Sequence, residues 1–219
     1  MKTRLSPLDV ANCMQLGIVA TNLIKLRQVQ SLKTIIITSC SPGEGKTSVA
    51  IQLAKAAVTE AQLRVLMIDF NPSNPELASL FDISSTPGIS DYLGGHATAE
   101  EVIKPASPGG PDIVPYGDIR GGLLSRYAPP QLKEKMAALG SVNGSHYDLI
   151  ILDGPSSFQE PDLALTGSVF DGIILVIECE RTRWEVVRHY QKILLDGKAS
   201  LIGTVLNRRK YYIPRGLYV

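Results

Sequence analysis

Cysteine is scarce in this sequence: Cys13, Cys40 and Cys179 form an odd, scattered set with no C-x-x-C pair. That excludes a bridged secreted framework and a cysteine zinc site, and fits thiols in a reducing cytosol. Aromatic residues make up only 6% of the 219, and neither charge dominates, since 22 Lys and Arg nearly cancel 21 Asp and Glu. The balance excludes a globally basic nucleic-acid coat and an acidic tail protein, so no nucleic-acid partner is expected. No uninterrupted apolar run reaches the roughly 18 residues of a membrane-spanning helix. Residues 1–7 also lack the apolar core and cleavage site of a signal peptide. The expectation is a cytoplasmic protein whose membrane contact comes from a partner or a surface segment. What is present is a 44% hydrophobic chain of one-domain length, able to bury roughly 70% of its unfolded surface without disulfides or a structural metal.

Short β-branched runs alternate with helical stretches. Residues 34–38 (TIIIT), 65–69 (VLMID), 148–153 (DLIILD), 172–178 (GIILVIE) and 201–206 (LIGTVL) read as strands buried on both faces, as in a parallel sheet covered by helices. Helices are expected over 46–60, 75–80, 130–139, 161–168 and 182–195, and a long one over 7–30 with Leu16, Val19, Leu23 and Leu26 on one face. The alternation implies a three-layer, doubly wound α/β fold with a mostly parallel sheet. Residues 84–127, rich in Gly and Pro, read as a surface loop system with one short strand near 112–115.

The segment Ser39-Cys-Ser-Pro-Gly-Glu-Gly-Lys-Thr47 lies between the first strand and the next helix, where a phosphate-binding loop belongs. Gly43 and Gly45 let backbone N–H groups turn inward without a Cβ in the way, and the following helix points its positive end at the same anion. Lys46 would reach the β- and γ-phosphates and the Thr47 hydroxyl would ligate Mg²⁺. Pro42, Gly43, Glu44, Gly45, Lys46, Thr47 and Ser48 are therefore the expected nucleotide-binding residues. A tight turn with glycine as a mere cap explains the glycines but not Gly-Lys-Thr at the helix start. Cys40 occupies the position of the motif's first glycine.

Asp69 and Asp153 each close an apolar run, and ligands of open α/β sheets bind outside the carboxyl ends of the strands. Both acids are expected at the phosphate loop, where one holds a Mg²⁺-bound water and the other orients or deprotonates a nucleophile. Asp153-Gly-Pro reads as the end of a strand followed by a turn. Lys46, Asp69 and Asp153 are the candidate catalytic residues, and Thr47, Asp69 and Asp153 the candidate metal ligands.

The phosphate loop, the Leu-Met-Ile-Asp-Phe-Asn-Pro run at 66–72, the Ile-Ile-Leu-Asp-Gly-Pro run at 150–155 and Leu206-Asn207-Arg208 together resemble the bacterial tyrosine kinase (BY-kinase) family. These are cytoplasmic partners or domains of chain-length regulators for capsular and exopolysaccharides, within the MinD/ParA-like P-loop ATPases. The resemblance covers about residues 10–210. It implies ATP and Mg²⁺ as cofactors, Asn207 and Arg208 near the adenine, a membrane chain-length regulator as partner, and a peripheral place at the inner face of the cell membrane. Two departures stand out. The family's Asp-x-Asp reads Asp69-Phe-Asn71 here, and its Glu-x-x-Arg-x-x-Arg ring motif falls on Met14, Gly17 and Ala20.

These observations predict a P-loop nucleotide-binding domain over 33–207, preceded by a helical segment (1–32) and followed by a basic tail (208–219). Tyr211, Tyr212 and Tyr218 in that tail are candidate phosphoacceptors for a neighbouring copy, while packing of the tail on the domain is an equal expectation. The function expected is a BY-kinase-like ATPase and protein-tyrosine kinase in polysaccharide biosynthesis, with kinase activity weakened by Asn71. The alternatives are a non-catalytic nucleotide-responsive adaptor and a MinD/ParA-type positioning ATPase. Trp184 is expected to be a packing or interface residue.

Overall fold

The computed structural model describes residues 21–23, 25, 31–105, 108–118, 127–142, 144–156 and 163–209. Its strands are β1 (Thr34–Ser39), β2 (Val65–Asp69), β3 (Asp112–Val114), β4 (Ser141–Val142), β5 (Ser145–His146), β6 (Leu149–Ser156), β7 (Gly172–Glu178) and β8 (Leu201–Asn207). Six of them form one sheet in the order β3-β2-β6-β1-β7-β8, with every pairing parallel. β4 and β5 make a separate antiparallel pair. The helices are α1 (Lys46–Thr59), α2 (Leu77–Leu80), α3 (Ile89–Leu93), α4 (Ala99–Val102), α5 (Pro129–Leu139), α6 (Leu163–Thr166) and α7 (Trp184–Asp196).

The continuous apolar runs make strands because each residue finds a helix to pack on, whichever face it points to. Ile35, Ile37, Met67 and Ile151 join Val49, Leu53 and Ala54 of α1 in one cluster. Their chain neighbours Ile36, Leu66, Ile68 and Leu152 join Leu132 and Met136 of α5 and Leu194 of α7 in another. The sheet is thus the middle of three layers. The chain moves from β1 to β2 on one side and later to β7 on the other, with β6 returning between β1 and β2. That reversal opens a crevice at the carboxyl end of β1, and the phosphate loop follows β1 directly.

The described residues change several expectations. β6 runs through Gly154 and Pro155 to Ser156 instead of turning after Asp153. The β1–β6 register shifts between Ile37 and Ser39, placing an extra residue on β6, and such a bulge accommodates a proline that cannot donate to the ladder. The Thr38 hydroxyl donates to the Pro155 carbonyl at 2.7 Å. Gly154 is needed there because a Cβ would meet Ile36 Cγ1 at 2.7 Å.

The stretch expected to be surface loop holds α3 and α4 as well as β3. Ile89, Leu93 and Val102 are buried in the core beneath it. Thr98 caps α4 by accepting from Glu101 N–H at 3.3 Å, while the Glu101 carboxylate accepts from Thr98 N–H at 2.7 Å. These helices are too short to show a period, so only the cap carried a signal. Of the helix expected over 161–168, the described part is α6, and a 3₁₀ turn at Gly167–Val169 takes the place of its last turn.

The Trp184 side chain is largely solvent-exposed, with the Arg188 guanidinium 5.8 Å from its ring centroid. Of the long N-terminal helix, residues 21–23 and 25 are described and helical, and Leu23 is buried against the α1 face of the sheet. The remainder of that helix, the ring-motif positions Met14, Gly17 and Ala20, and the tail tyrosines Tyr211, Tyr212 and Tyr218 lie outside the described residues.

Candidate functional site

The phosphate loop is shaped by two left-handed glycines, Gly43 at φ 82° and Gly45 at φ 88°. Gly45 is the N-cap of α1, so the helix starts at Lys46 with no side-chain cap to occupy its free N–H groups. A Cβ on Gly45 would stand 2.2 Å from Asn207 Nδ2. The position therefore requires glycine for its conformation and for the close approach of β8.

The loop is tied from three sides. The buried Glu44 carboxylate accepts from Ser41 N–H at 3.1 Å and from the Thr182 hydroxyl. Asn207 Nδ2 donates to the Glu44 carbonyl at 2.9 Å. Asn207 is thus a brace of the phosphate loop in this structure, a role its place at the end of the last strand did not suggest. Arg208, with φ 55°, pairs with Glu178 at 3.2 Å, and Arg181 pairs with the same carboxylate at 2.9 Å. Pro42, Gly43 and Ser48 are exposed at the loop, whereas Lys46 and Thr47 are buried at its base.

Asp69 and Asp153 face one another in register on adjacent strands. Asp69 accepts from Leu77 N–H at 3.0 Å and from Asn71 N–H at 3.3 Å. Even so, burial raises its carboxyl to about 6, with those N–H groups and Lys46 pulling the other way. Burial raises Asp153 further, to about 7, against the opposing pull of Lys46 and the Thr47 hydroxyl. Neither Asp153 oxygen has a partner of ordinary hydrogen-bond geometry among the described residues. A fully buried carboxylate without partners is costly, and beside a lysine, a threonine hydroxyl and a second aspartate it is a donor set awaiting a hard cation. Mg²⁺ with a nucleotide fits these residues: free N–H groups and Lys46 for phosphate, Thr47 and carboxylates for the ion.

Cys40 is fully buried in the core, and its thiol is pushed up to about 12 by burial and the Glu44 charge, so it is an inert packing group. Asn71 is 1% exposed, donates from Nδ2 to the Asn74 carbonyl at 3.0 Å, and leaves Oδ1 without a partner among the described residues. The fold brings the phosphate loop and both aspartates to one place, as their order in the sequence implies. Thr182 and the bracing use of Glu44 escape a reading of the sequence, because a single hydroxyl in a loop 138 residues away carries no local pattern.

No family model matches the chain. It is 27% identical to the tyrosine-protein kinase YwqD of Bacillus subtilis over 91% of this chain and 82% of that protein. It is 29% identical to the tyrosine-protein kinase etk of Escherichia coli over 79% of this chain but only 23% of that longer protein. Among solved structures, the VpsO kinase domain superposes with a TM-score of 0.77 at 27% identity, covering 94% of this chain and all of that one. The septum site-determining protein MinD of Pyrococcus horikoshii, crystallised with Mg-ADP, shares the fold at a TM-score of 0.63 and 24% identity, over 84% of this chain and 74% of that one. The chain is a relative of the bacterial tyrosine-protein kinases, with the three-layer P-loop fold of their kinase domains and, more distantly, of MinD.

Proposed function

We propose that this chain binds Mg-ATP at Gly43–Ser48 and transfers the γ-phosphoryl group slowly, to tyrosine and to water, as a kinase of polysaccharide assembly. The observation that carries the reading is Asp153, buried and unpartnered among the described residues, in register with Asp69 and beside Lys46 and Thr47 of the phosphate loop. When bound, Mg²⁺ would supply charge neutralisation for the phosphates. Lys46 would hold the β- and γ-phosphate oxygens, and Thr47, Asp69 and Asp153 would hold the ion. The glycine loop presents backbone N–H groups to the same anion, and the Glu44 and Asn207 braces keep it in that shape, so little reorganisation is needed on binding.

Asn71 keeps the shape of an aspartate without its charge, which supports slow transfer. The names of the relatives support tyrosine as acceptor, and one relative at 26% identity is named for a cps region. A membrane chain-length protein is the partner this implies. No helix among the described residues is long and apolar enough to cross a membrane, so contact with the inner face of the membrane would run through that partner. The tail tyrosines Tyr211, Tyr212 and Tyr218 are the acceptors we assign within the chain. A nucleotide-responsive adaptor is the second reading, favoured by the neutral Asn71 alone.

Mass spectrometry of the purified protein after incubation with Mg-ATP tests the reading. Sparse tail phosphotyrosine that rises in Asn71→Asp and vanishes in Asp153→Asn is expected. Abundant phosphorylation indifferent to both changes would refute it, and nucleotide binding with no transfer in any variant would leave the adaptor.

A further inference from the structure

The loop between β2 and α2 carries a carboxylate that the site as described does not use. Glu76 is the N-cap residue of α2 and is half-buried. The N–H of the next residue, Leu77, donates to Asp69 Oδ2 at 3.0 Å, so the backbone at Glu76 is pinned to the site. Its side chain is held as well. Asn71 Nδ2 donates to the Asn74 carbonyl at 3.0 Å, and Asn74 Nδ2 donates to Glu76 Oε1 at 2.7 Å. The neutral residue at 71 thus anchors a relay that ends on a carboxylate, whose Oε2 no described residue engages. Glu76 is also near enough for its charge to raise the Asp153 carboxyl.

Asn71 itself cannot take up a proton at neutral pH, because its amide oxygen is a hydrogen-bond acceptor and not a base. Asp69 and Asp153 are 1% and 0% exposed, at the depth suited to an ion. Glu76 is only half-buried, so of these three carboxylates it is the one most open to a hydroxyl from solvent.

We propose that Glu76 is a catalytic carboxylate of this chain, accepting the proton of the attacking hydroxyl in the place left by Asn71. The inference rests on the phosphoryl-transfer reading given above. As the hydroxyl oxygen bonds to the γ-phosphorus, its O–H bond breaks and the proton passes to Glu76. The bond from the γ-phosphorus to the β–γ bridging oxygen breaks, and its electron pair leaves with ADP. Tyrosine and water supply the same hydroxyl chemistry, and phosphotyrosine formation and phosphate release tell them apart.

The experiment is steady-state turnover of the full chain with Mg-ATP, reading both products, in wild type, Glu76→Gln, and Glu76→Gln combined with Asn71→Asp. Glutamine retains the oxygen that accepts from Asn74, so the melting temperature should stay at the wild-type value. Loss of a general base predicts a kcat about a hundredfold lower, with the KM for ATP changed by less than about threefold because the phosphate contacts are untouched. With the single variant Asn71→Asp measured alongside, restoring that carboxylate should raise kcat at least about tenfold more in the Glu76→Gln background than in the wild type, whereas a purely structural role of Glu76 predicts the same gain in both. Wild-type kcat in Glu76→Gln, or a gain from Asn71→Asp no larger in Glu76→Gln than in the wild type, overturns the inference while leaving nucleotide binding standing. Absence of Mg-ATP binding to the wild type overturns the phosphoryl-transfer reading and the inference with it.

Discussion

Replacing Asp153 by asparagine should stabilise the nucleotide-free protein at alkaline pH. Asp153 is fully buried with neither oxygen partnered among the described residues, and its carboxyl is raised from 3.8 to about 7, mainly by burial. An acid whose folded pKa is raised binds more protons in the folded than in the unfolded chain between those two values. Stability is therefore greatest below pH 3.8 as far as this group is concerned, declines as pH rises toward 7, and stays low above it. Each pH unit between the two values is worth about 1.4 kcal/mol, so the cost above neutrality amounts to as much as about 4 kcal/mol. Asparagine imitates the neutral acid in shape and does not ionise. Urea unfolding in EDTA should show Asp153→Asn more stable than wild type by about 2–4 kcal/mol at about pH 8.5, with the gap closing toward about pH 4. Saturating Mg-ATP should reverse the order. The wild type gains about 4.1 kcal/mol at a ligand concentration about a thousand times Kd, more than that gap, and the variant, lacking the ion's ligand, gains little. A variant no more stable than wild type in alkaline EDTA would refute the reasoning that this carboxylate is kept charged for a ligand at the expense of stability.

Gly45→Ala forces an L side chain into φ 88° and against Asn207 Nδ2. Left-handed strain of about 1–2 kcal/mol and loss of one hydrogen bond of about 1 kcal/mol should weaken Mg-ATP binding at least about tenfold, and adding Asn207→Ala should relieve the clash without restoring the brace, as equilibrium binding will show. Cys40→Gly should leave ATP affinity nearly intact but lower the unfolding free energy by about 1–2 kcal/mol, since the thiol packs in the core and glycine frees the unfolded chain. Light scattering with ATP at micromolar concentration should find a monomer or small oligomer, because the ring motif falls on Met14, Gly17 and Ala20; a stable octamer would contradict this.

The parallel sheet was legible because runs such as TIIIT and VLMID have an apolar residue on both faces, a pattern with few other uses. The phosphate loop was legible because its chemistry is local, with both glycines and Lys46-Thr47 in one short stretch. Asp69 and Asp153 could be paired from their place at the ends of apolar runs, and the register sets them side by side. The continuation of β6 past Asp153 was hidden by Gly154-Pro155, which signals a turn in sequence but here fills a bulge against Ile36. The helices α3 and α4 were hidden by their brevity. The Glu44–Thr182 and Asn207–Glu44 contacts join residues 138 and 163 positions apart, and no local pattern foretells them. Glu76 was hidden for another reason: a glutamate after proline reads as an ordinary helix start.

Isothermal titration of the wild type and of Lys46→Ala with ATP in the presence of Mg²⁺ tests the central claim most directly. Lys46 lies buried at the base of the loop, and removing its charge-assisted phosphate contact should weaken binding by about 1.5–3 kcal/mol, or roughly ten- to a hundredfold. The account predicts saturable binding of one ATP to the wild type, dependent on Mg²⁺, with that loss in the variant. No saturable heat from the wild type, or equal affinity in the two proteins, would contradict it.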